Sequence, residues 1–410
     1  MDVIIHKRIE SLDRLVPKWE DLPDRFREAT IFQDVEWMSD WWEQKKNSEE
    51  ITPYIVEIRK KNETIGIIPL YLSEISFAKT RFRMLRPIGV GVINYLLPIL
   101  SKNHSPEQVI KIAMNKIYKD KKNWDFILWS DLPEGSSFDT ALLDLIKERE
   151  SKRIERKKAL ISPQVVLDKD YEVVKSRCSK KFLKGIHYYE RKLKREGDLH
   201  YHRVINEQDI EPIMNKLFDF HCERWKLTDT PSKFEVPEER DLMLKKVRRL
   251  FNRDILHLSY LSHNEEIAAV ELGFIDQKTR ILYIGTTNPK FKKYPVGHII
   301  VYKLMEEACA EGYEIMDFLG GNQEYKQKWG PVNVVNIDYL IFNSSIKSAM
   351  YRLINNTYNS KQFLQTFPFL RFPVKLMIWG SVFLLGVIDK LWQKVSGSER
   401  IQYEKNRMQY

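Results

Sequence analysis

Cysteine is scarce in this chain of 410 residues, and the three cysteines that occur form no recognisable site. Cys178, Cys222 and Cys309 are far apart and odd in number, and none belongs to a C-x-x-C motif or to a Cys/His group with metal spacing. This pattern argues against a disulfide framework and a structural zinc site, and it favours a reducing compartment. We therefore expect no metal cofactor.

Long apolar runs are missing as well. The opening residues, MDVIIHKRIESLDRL, contain no apolar core of a signal peptide. Near the other end, the uncharged run extends only from Leu376 to Ile388, whereas a helix that crosses a bilayer needs about 20 apolar residues. We expect a protein without a transmembrane helix that stays in the cytoplasm.

The composition is that of a basic globular protein. Hydrophobic residues make up 43% of the chain and aromatic residues 12%, which is enough for two packed domains and argues against disorder. The net charge is +10 and the isoelectric point is near 9.1. Such a charge favours phosphates, nucleic acid or an acidic membrane face as partners, and charge alone does not choose among them.

The stretch from Ile284 to Gly330 carries the densest set of signals. It reads as a strand, a turn, a helix from Gly297 to Gly312, the short buried strand YEIMDFL, and a second turn followed by a short helix. The first turn contains Lys292 and Lys293, and backbone N–H groups at the start of the following helix are suited to an anionic ligand. This stretch predicts a cofactor that bears phosphate.

Two further features accompany that stretch. The turn Gly320-Gly321-Asn322 is followed at once by a YK-x-x-W sequence that contains Tyr325 and Trp329. Two hairpin-like segments, TPYIVEIRKKNETIGIIPLYLS and RDILHLSYLSHNEEIAAVELGFID, resemble each other and place Pro69 opposite Glu271 in an alignment. An internal duplication explains the second feature, and a common hairpin type that recurs by chance is the alternative.

The strand, phosphate-type turn and helix, the DFL-G strand end and the YK-x-x-W sequence together resemble GNAT-like acyltransferases of the CelD/BcsL type, which are associated with cellulose and exopolysaccharide synthesis. That family is similar to the Fem-type aminoacyl transferases, which carry two GNAT folds in one chain. The resemblance covers roughly residues 1 to 345. One departure is the segment Lys293-Tyr294-Pro295-Val296-Gly297-His298, which holds one glycine where GNAT enzymes carry a glycine-richer acyl-CoA turn.

The resemblance implies an α/β (α+β) protein with two tandem GNAT-like domains. Residues 1–160 are then a non-catalytic first domain, residues 161–345 a catalytic second domain, and residues 346–410 a helical tail. The segment 363–394 has flanking basic residues and tryptophans that suit a helix lying in a membrane interface. Docking of that helix on the protein's own core is the alternative.

The resemblance also implies direct attack of an amine or hydroxyl on an acyl-CoA thioester. Glu271 or His221 is the expected base, Tyr325 the expected acid, and Asp317 either a catalytic group or a cap of the glycine turn; backbone N–H groups between Leu282 and Thr286 are expected to hold the oxyanion. The residues expected to bind the cofactor are Lys292, Lys293, Tyr294, Val296, Gly297 and His298. The residues expected to bind the acceptor are Arg191, Arg224, Trp225, Lys326, Lys328 and Trp329.

Three functions stay open from the sequence. The leading one is acyl transfer to an amino sugar, a hydroxyl or a lipid-linked sugar in surface polysaccharide assembly. A Fem-like aminoacyl transfer from tRNA is the second, since the basic segment KSRCSKKFLKGIHYYERKLKREG is suited to phosphates; no long helical hairpin is evident between Glu207 and Asp254, which favours a thioester donor. A non-catalytic GNAT-like subunit of a synthesis complex is the third.

Overall fold

A computed structural model describes residues 1–46, 50–77, 80–92, 94–147, 153–226, 231–345, 347–349 and 351–352. These residues form two compact units, one of Met1–Leu160 with the described residues from Val335 onward, and one of Ile161–Val334. The predicted interfacial segment 363–394 lies outside the described residues. No helix in the described ranges is long and apolar enough to cross a membrane.

The first unit combines a sheet with short helices on the chain between its strands. Its strands are β1 Asp2–His6, β2 Phe26–Arg27, β3 Ile51–Lys60, β4 Glu63–Phe77, β5 Thr80–Pro87, β6 Ile99–Ser101 and β7 Phe126–Pro133, and β8 Ile154–Val166 begins here and ends in the second unit. Its helices are α1 Ser11–Leu15, α2 Leu22–Arg25, α3 Val35–Lys46, α4 Pro106–Lys119 and α5 Ser137–Leu145. Strands β1, β3, β4 and β5 pair in that order, all antiparallel.

The second unit has the same kinds of elements in a similar order. Its helices are α6 Tyr171–Ser176, α7 Lys180–Glu196, α8 Ile210–Trp225, α9 Pro237–Phe251, α10 Val296–Ala310 and α11 Glu324–Gln327. Its strands are β9 Leu199–Arg203, β10 Leu256–His263, β11 Glu266–Asp276, β12 Thr279–Thr287 and β13 Ile315–Asp317. The sheet order is β9-β10-β11-β12-β13, and β13 pairs on its far side with the end of β8.

Each unit contains an antiparallel hairpin, a third strand, a helix and a strand parallel to the third. In the first unit these are β3, β4, β5, α4 and β7; in the second they are β10, β11, β12, α10 and β13. Both hairpins turn through two residues, Lys61-Asn62 and Asn264-Glu265, and Lys61, Asn264 and Glu265 have positive φ. The repeated order is that predicted from the two similar segments of the sequence.

The hairpins also correct one detail of that alignment. Each hairpin has a bulge close to its turn. The bulge lies between the turn and the Ile58–Gly66 pair in the first unit, and between the turn and the Leu261–Ala269 pair in the second. Counted from the bulge, the position of Glu271 corresponds to Ile68, one residue before Pro69. The correction leaves the conclusion unchanged, because neither residue of the first unit offers a carboxylate.

The last strand, β14 Val332–Phe342, differs from the predicted domain boundary. Its residues from Asn336 to Phe342 pair antiparallel with β7 in the first unit. The sequence had assigned all residues up to 345 to the second domain. The chain therefore returns to the first unit after Val334, because the apolar residues of this strand complete the sheet at β7.

The core of the second unit fixes α10 and the strand that precedes it. Buried residues of α10, including Ile300, Leu304 and Ala308, pack with residues of β11, β12 and α7. Their spacing of three or four residues puts them on one helical face. The helix was predicted as Gly297 to Gly312 and is observed two residues shorter at its end, with Gly312 in the positive-φ conformation that follows a helix.

Candidate functional site

The candidate site is built around Glu271 in the middle of β11. Glu271 lies opposite Ser259 of β10 on one side and opposite Gly285 of β12 on the other. A Cβ atom on Gly285 would lie 2.2 Å from Glu271 Oε2, so the missing side chain leaves the room that the carboxylate occupies. The carboxylate is therefore seated over β12, and only 7% of the Glu271 surface is exposed.

The Glu271 carboxyl group holds its proton more firmly than a glutamate exposed to water does. Burial raises the pKa of its carboxyl from 4.5 to about 8, and the positive charges of Lys326 and Arg224 oppose that rise. Among the described residues, none donates a hydrogen bond to this carboxylate. A carboxylate in this state is able to exchange a proton near neutral pH.

Lys326 is a buried cation whose charge acts on the Glu271 carboxylate. Its side chain is 2% exposed, and its Nζ donates to the carbonyl oxygen of Gly320 at 2.9 Å. Burial lowers the pKa of Lys326 to about 8, and the charges of Asp317 and Glu271 act in the opposite direction. Lys326 and Glu271 are thus both buried, and the charge of each acts on the pKa of the other.

Asp317, at the end of β13, organises the turn that carries Lys326. Its Oδ1 accepts from the backbone N–H of Leu319 at 2.7 Å, and its Oδ2 accepts from Gln164 Nε2 at 2.9 Å. Leu319 has φ of +57°, a conformation that side chains other than glycine adopt rarely. The structure thus gives Asp317 the capping contacts that the sequence offered as one of its two roles.

Tyr325 lies next to Lys326 on α11 and keeps part of its surface exposed. Loss of solvent around its hydroxyl raises its pKa to about 12, with Glu271 adding to the rise and Arg224 opposing it. The phenol is consequently neutral at physiological pH and retains a proton that it can donate. Its ring centroid lies 6.5 Å from the rings of both His298 and Phe318.

Strands β12 and β13 separate next to these side chains. They pair in parallel only from Thr279 to Ile281 of β12, whereas β12 continues to Thr287. In the described part of the chain, β12 has no neighbour on that side beyond Ile281. Backbone N–H and C=O groups therefore face a gap between the strands, along the stretch from which the sequence predicts oxyanion donors.

The start of α10 follows β12 after a short turn. Pro295 precedes the helix and supplies no side-chain cap. The N–H of His298 donates to the Pro295 carbonyl oxygen at 2.9 Å, which leaves the N–H groups of Val296 and Gly297 to face a ligand. A Cβ atom on Gly297 would lie 3.3 Å from Thr287 Cγ2, which shows how closely the helix start approaches β12. Lys292 and Lys293 are exposed just before it.

The remaining predicted cofactor residues are less open. The hydroxyl of Tyr294 donates to Glu196 of α7 at 2.7 Å, and Val296 is buried in the core. His298 lies between aromatic rings, 5.0 Å from Phe182 and 6.0 Å from Trp329 by ring centroids. Tyr294 and Val296 thus make contacts with other parts of the protein, whereas Gly297 and His298 remain candidates for cofactor binding at the start of the helix.

His221 is held in a way that does not suit a general base. Its Nε2 accepts a hydrogen bond from Trp225 Nε1 at 3.0 Å, and its Nδ1 lies 2.8 Å from Ser232 Oγ. Because an indole nitrogen only donates, Nε2 carries no proton, and Nδ1 donates to Ser232. His221 is 3% exposed. The structure therefore favours Glu271 over His221 among the two expected bases.

Replacement of His221 by alanine tests this structural role. We expect the free energy of unfolding to fall by about 2–4 kcal/mol, because the change removes one buried and one partly buried hydrogen bond and opens a cavity. The turnover per folded molecule and the pH dependence of turnover should stay close to wild type. Denaturant unfolding and a pH–rate profile check both expectations. A lost acidic limb with unchanged stability would instead make His221 the base.

The residues predicted to bind the acceptor differ in their exposure and in the contacts that they make. Arg224 is exposed, and its charge acts on both Glu271 and Tyr325. Trp329 is buried against Phe182; Trp225 stacks on His221 and Lys328 pairs with Glu324. Arg191 is on the exposed face of α7 and lines a separate groove there, so the structure does not bring it to the site.

Two residues of the site were missed in the sequence. Gly285 makes room for the Glu271 carboxylate, and Gln164 holds Asp317. A glycine inside an otherwise apolar strand is a known signal of close approach by another group, so Gly285 was open to discovery. Gln164 carried no such signal, because its contact joins two strands that are 153 residues apart in the chain.

Comparisons with known proteins agree with this geometry. Residues 180–327 match the family described as an acetyltransferase (GNAT) domain. Among solved structures, FemX has a TM-score of 0.55 at 11% identity, with 86% of this chain and 100% of FemX covered. A tandem GNAT protein from the clavulanic acid biosynthesis pathway gives 0.45 at 10% identity, with 83% and 98% covered. No curated protein matches the chain.

A third solved structure is the C-terminal domain of a putative lysylphosphatidylglycerol synthetase from Agrobacterium fabrum, with a TM-score of 0.46 at 11% identity and with 82% of this chain and 94% of that domain covered.

The FemX likeness and the matched domain confirm the predicted fold class of tandem GNAT-like units. The polysaccharide-synthesis type of GNAT protein stays a prediction. The domain match covers residues 180–327 within the second unit, and on this match the protein is an enzyme of the acyltransferase class.

Proposed function

We propose that this protein transfers an acyl group from acyl-CoA to an amine or hydroxyl, with Glu271 as the general base. One observation carries the proposal: a buried carboxylate with a pKa near 8 is seated over Gly285, beside the gap between β12 and β13. A base of this pKa is well matched to an acceptor that must lose a proton near neutral pH.

The groups around Glu271 supply the other requirements of acyl transfer. Negative charge develops on the thioester oxygen during attack, and fixed donors stabilise it. Backbone N–H groups of β12 beyond Ile281 and the ammonium of Lys326 are the donors that we propose. Tyr325 is the proposed acid, because its neutral phenol can protonate the departing thiolate. We propose no metal for this reaction, in line with the sequence.

The start of α10 fits the phosphates of a coenzyme A thioester. The uncapped first turn offers backbone N–H groups, and Lys292 and Lys293 add positive charge in front of it. Gly297 keeps the backbone free of side-chain bulk where the helix lies against Thr287. These residues would hold the phosphates, and the thioester would then reach the gap beside β12.

For the acceptor we propose an amino sugar or a sugar hydroxyl in surface polysaccharide assembly. The polysaccharide context rests on the resemblance of the DFL-G and YK-x-x-W segments, and a lipid-linked sugar belongs to the same proposal. Arg224 is exposed beside Glu271 and Tyr325. Its guanidinium is the side chain that we propose to bind and orient the acceptor.

Calorimetry with acetyl-CoA tests the donor site. Wild type should bind, Gly297→Ala should bind slightly more weakly, and Gly297→Val should lose at least tenfold in affinity, since its branched side chain crowds Thr287 and the helix start. Equal thermal unfolding of the three proteins is the control. No binding to wild type would discredit acyl-CoA as donor, and aminoacyl-tRNA or a non-catalytic role would then be preferred.

A further inference from the structure

The outer face of α7 carries a row of side chains that the proposed reaction does not use. Exposed residues recur every three or four positions, which places them on one face of the helix. We call this row the basic stripe; it consists of Lys180, Lys184, Tyr188, Arg191 and Arg195. At 1.5 Å per residue the stripe is about 22 Å long. The opposite face of α7 buries Ile186 and Leu193 in the core.

Within the part of the chain that the structure describes, the four cations of the basic stripe have no acidic partner. Other cations of the helix have partners: Lys194 pairs with Glu190, and Lys192 pairs with Glu196. In the described ranges, no hydrogen bond or ion pair involves the side chains of the stripe cations. Four unpaired charges along one exposed helical face form a region of positive potential that attracts an anionic partner.

The C-terminal half of the basic stripe borders a groove. A groove of about 480 Å³ is lined by Tyr188, Arg191, Lys194 and Arg195. Tyr188 is 51% exposed, which is unusual for so large a ring. Two cations of the stripe, together with the Glu190-paired Lys194 and one amphipathic ring, surround a small groove and match a phosphate group attached to an apolar body.

The positive charge of the basic stripe excludes two partners, residues 353–410 and a second copy of the chain. Residues 353–410 contain eight Lys and Arg but three Asp and Glu, so this part of the chain is itself basic. A second copy of the chain carries a net charge of +10. Neither complements the basic stripe, because like charges repel across an interface. The partner must be strongly anionic and come from outside the chain.

We propose that the basic stripe docks the protein on an anionic lipid surface. A straight, convex row of long cationic side chains can contact a flat array of phosphate headgroups along its whole length, with Tyr188 at the level of the headgroups. Single-stranded RNA is bound instead by several stacking aromatic rings in a groove, and the stripe has one ring. This inference goes beyond the proposed acyl transfer and does not depend on it.

Vesicle binding by the full-length protein tests this inference. The vesicles contain phosphatidylcholine alone or an equimolar mixture with phosphatidylglycerol, at an ionic strength of about 0.1 M. The stripe variant is Lys184→Gln/Arg191→Gln/Arg195→Gln. The control variant, Lys116→Gln/Lys119→Gln/Lys122→Gln, removes three exposed cations at and just beyond the end of α4 and has the same net charge as the stripe variant.

We expect wild type to bind the mixed vesicles and not the neutral ones. Each stripe cation should contribute about fivefold, so the stripe variant should bind roughly 100-fold more weakly, with the control variant within a few-fold of wild type. If the stripe variant unfolds, Lys180→Gln/Lys184→Gln replaces it, with an expected loss of about 25-fold. Full-length chains keep residues 353–410 in every comparison.

Three results would overturn the inference. One is equal binding of the stripe variant and wild type, which would assign any membrane attraction to another part of the chain. Another is binding that does not depend on phosphatidylglycerol. The third is tight binding of a single-stranded RNA oligonucleotide without vesicle binding, which would assign the basic stripe to RNA. Because acetyl-CoA calorimetry is measured without lipid, these results leave the test of the acyl-CoA site separate.

Discussion

Glu271→Gln is expected to lower kcat/KM for acyl transfer by roughly 10²–10⁴-fold, the usual contribution of a positioned general base. Glutamine keeps the shape of the side chain over Gly285 but cannot accept the proton of the acceptor. In wild type, the rate should fall about tenfold per pH unit below the pKa of about 8, because only the carboxylate form is active. The variant should lose this acidic limb of the pH–rate profile.

The same substitution on the same strand provides a matched control. Glu266→Gln, at the exposed start of β11, removes a salt bridge to Lys290 and should leave turnover close to wild type. Unchanged activity in Glu271→Gln, and equally in Tyr325→Phe, would contradict the proposed chemistry. The GNAT-like unit would then serve as a binding subunit, as the third function open from the sequence requires.

Glu271 also makes folding depend on pH, which offers a readout that needs no substrate. Its folded pKa of about 8 lies above the ordinary value of 4.5, so the folded protein holds an extra proton between these two pH values. The contribution to stability is complete below pH 4.5 and is lost as the pH rises through 8. Glu271→Gln should remove this decline in the free energy of unfolding, and Glu266→Gln should not.

Lys326→Met is expected to lower kcat by roughly 10²–10³-fold, because it removes a buried cation that we propose to stabilise the oxyanion. It should also shift the pH dependence. The charge of Lys326 lowers the pKa of Glu271, so without that charge the pKa rises further and the acidic limb moves to higher pH. A pH–rate profile of the variant, measured with saturating acyl-CoA, checks both effects.

Lys328→Met is the matched control for that variant. Lys328 lies two residues further along the chain, is exposed and pairs with Glu324, so its loss should change neither kcat nor the position of the acidic limb. If Lys326→Met shifted no limb, Lys326 would have no electrostatic effect on Glu271 in solution. If both variants lost activity equally, a general loss of positive charge near α11 would explain the result better.

Several elements followed from the sequence because local patterns decide them. The apolar spacing within α10 and the apolar runs around the two hairpin turns depend on residues a few positions apart, and the structure contains these elements. Glu271 is recognisable for a similar local reason, because it is the one charged residue of the apolar segment AAVELGF and burying an unpaired charge is costly. Tyr325 and Lys326 followed from their place behind the DFL-G strand.

The state of each side chain depended on residues far away in the chain. Ser232 occupies one ring nitrogen of His221, which removed a base that the sequence had kept open. Pairing between β11 and β12 brought Gly285 to Glu271, and the position of α7 turned Arg191 to solvent.

The sequence by itself thus determined the order of strands and helices from β10 to α11 and the identity of the isolated carboxylate on β11. The tertiary structure alone decided that Glu271 is buried with no hydrogen bond from any described residue, that Lys326 is also buried, and that β12 and β13 separate beside them. The physical reason is that periodicity is a local property, whereas desolvation and charge coupling depend on which distant residues exclude water from a group.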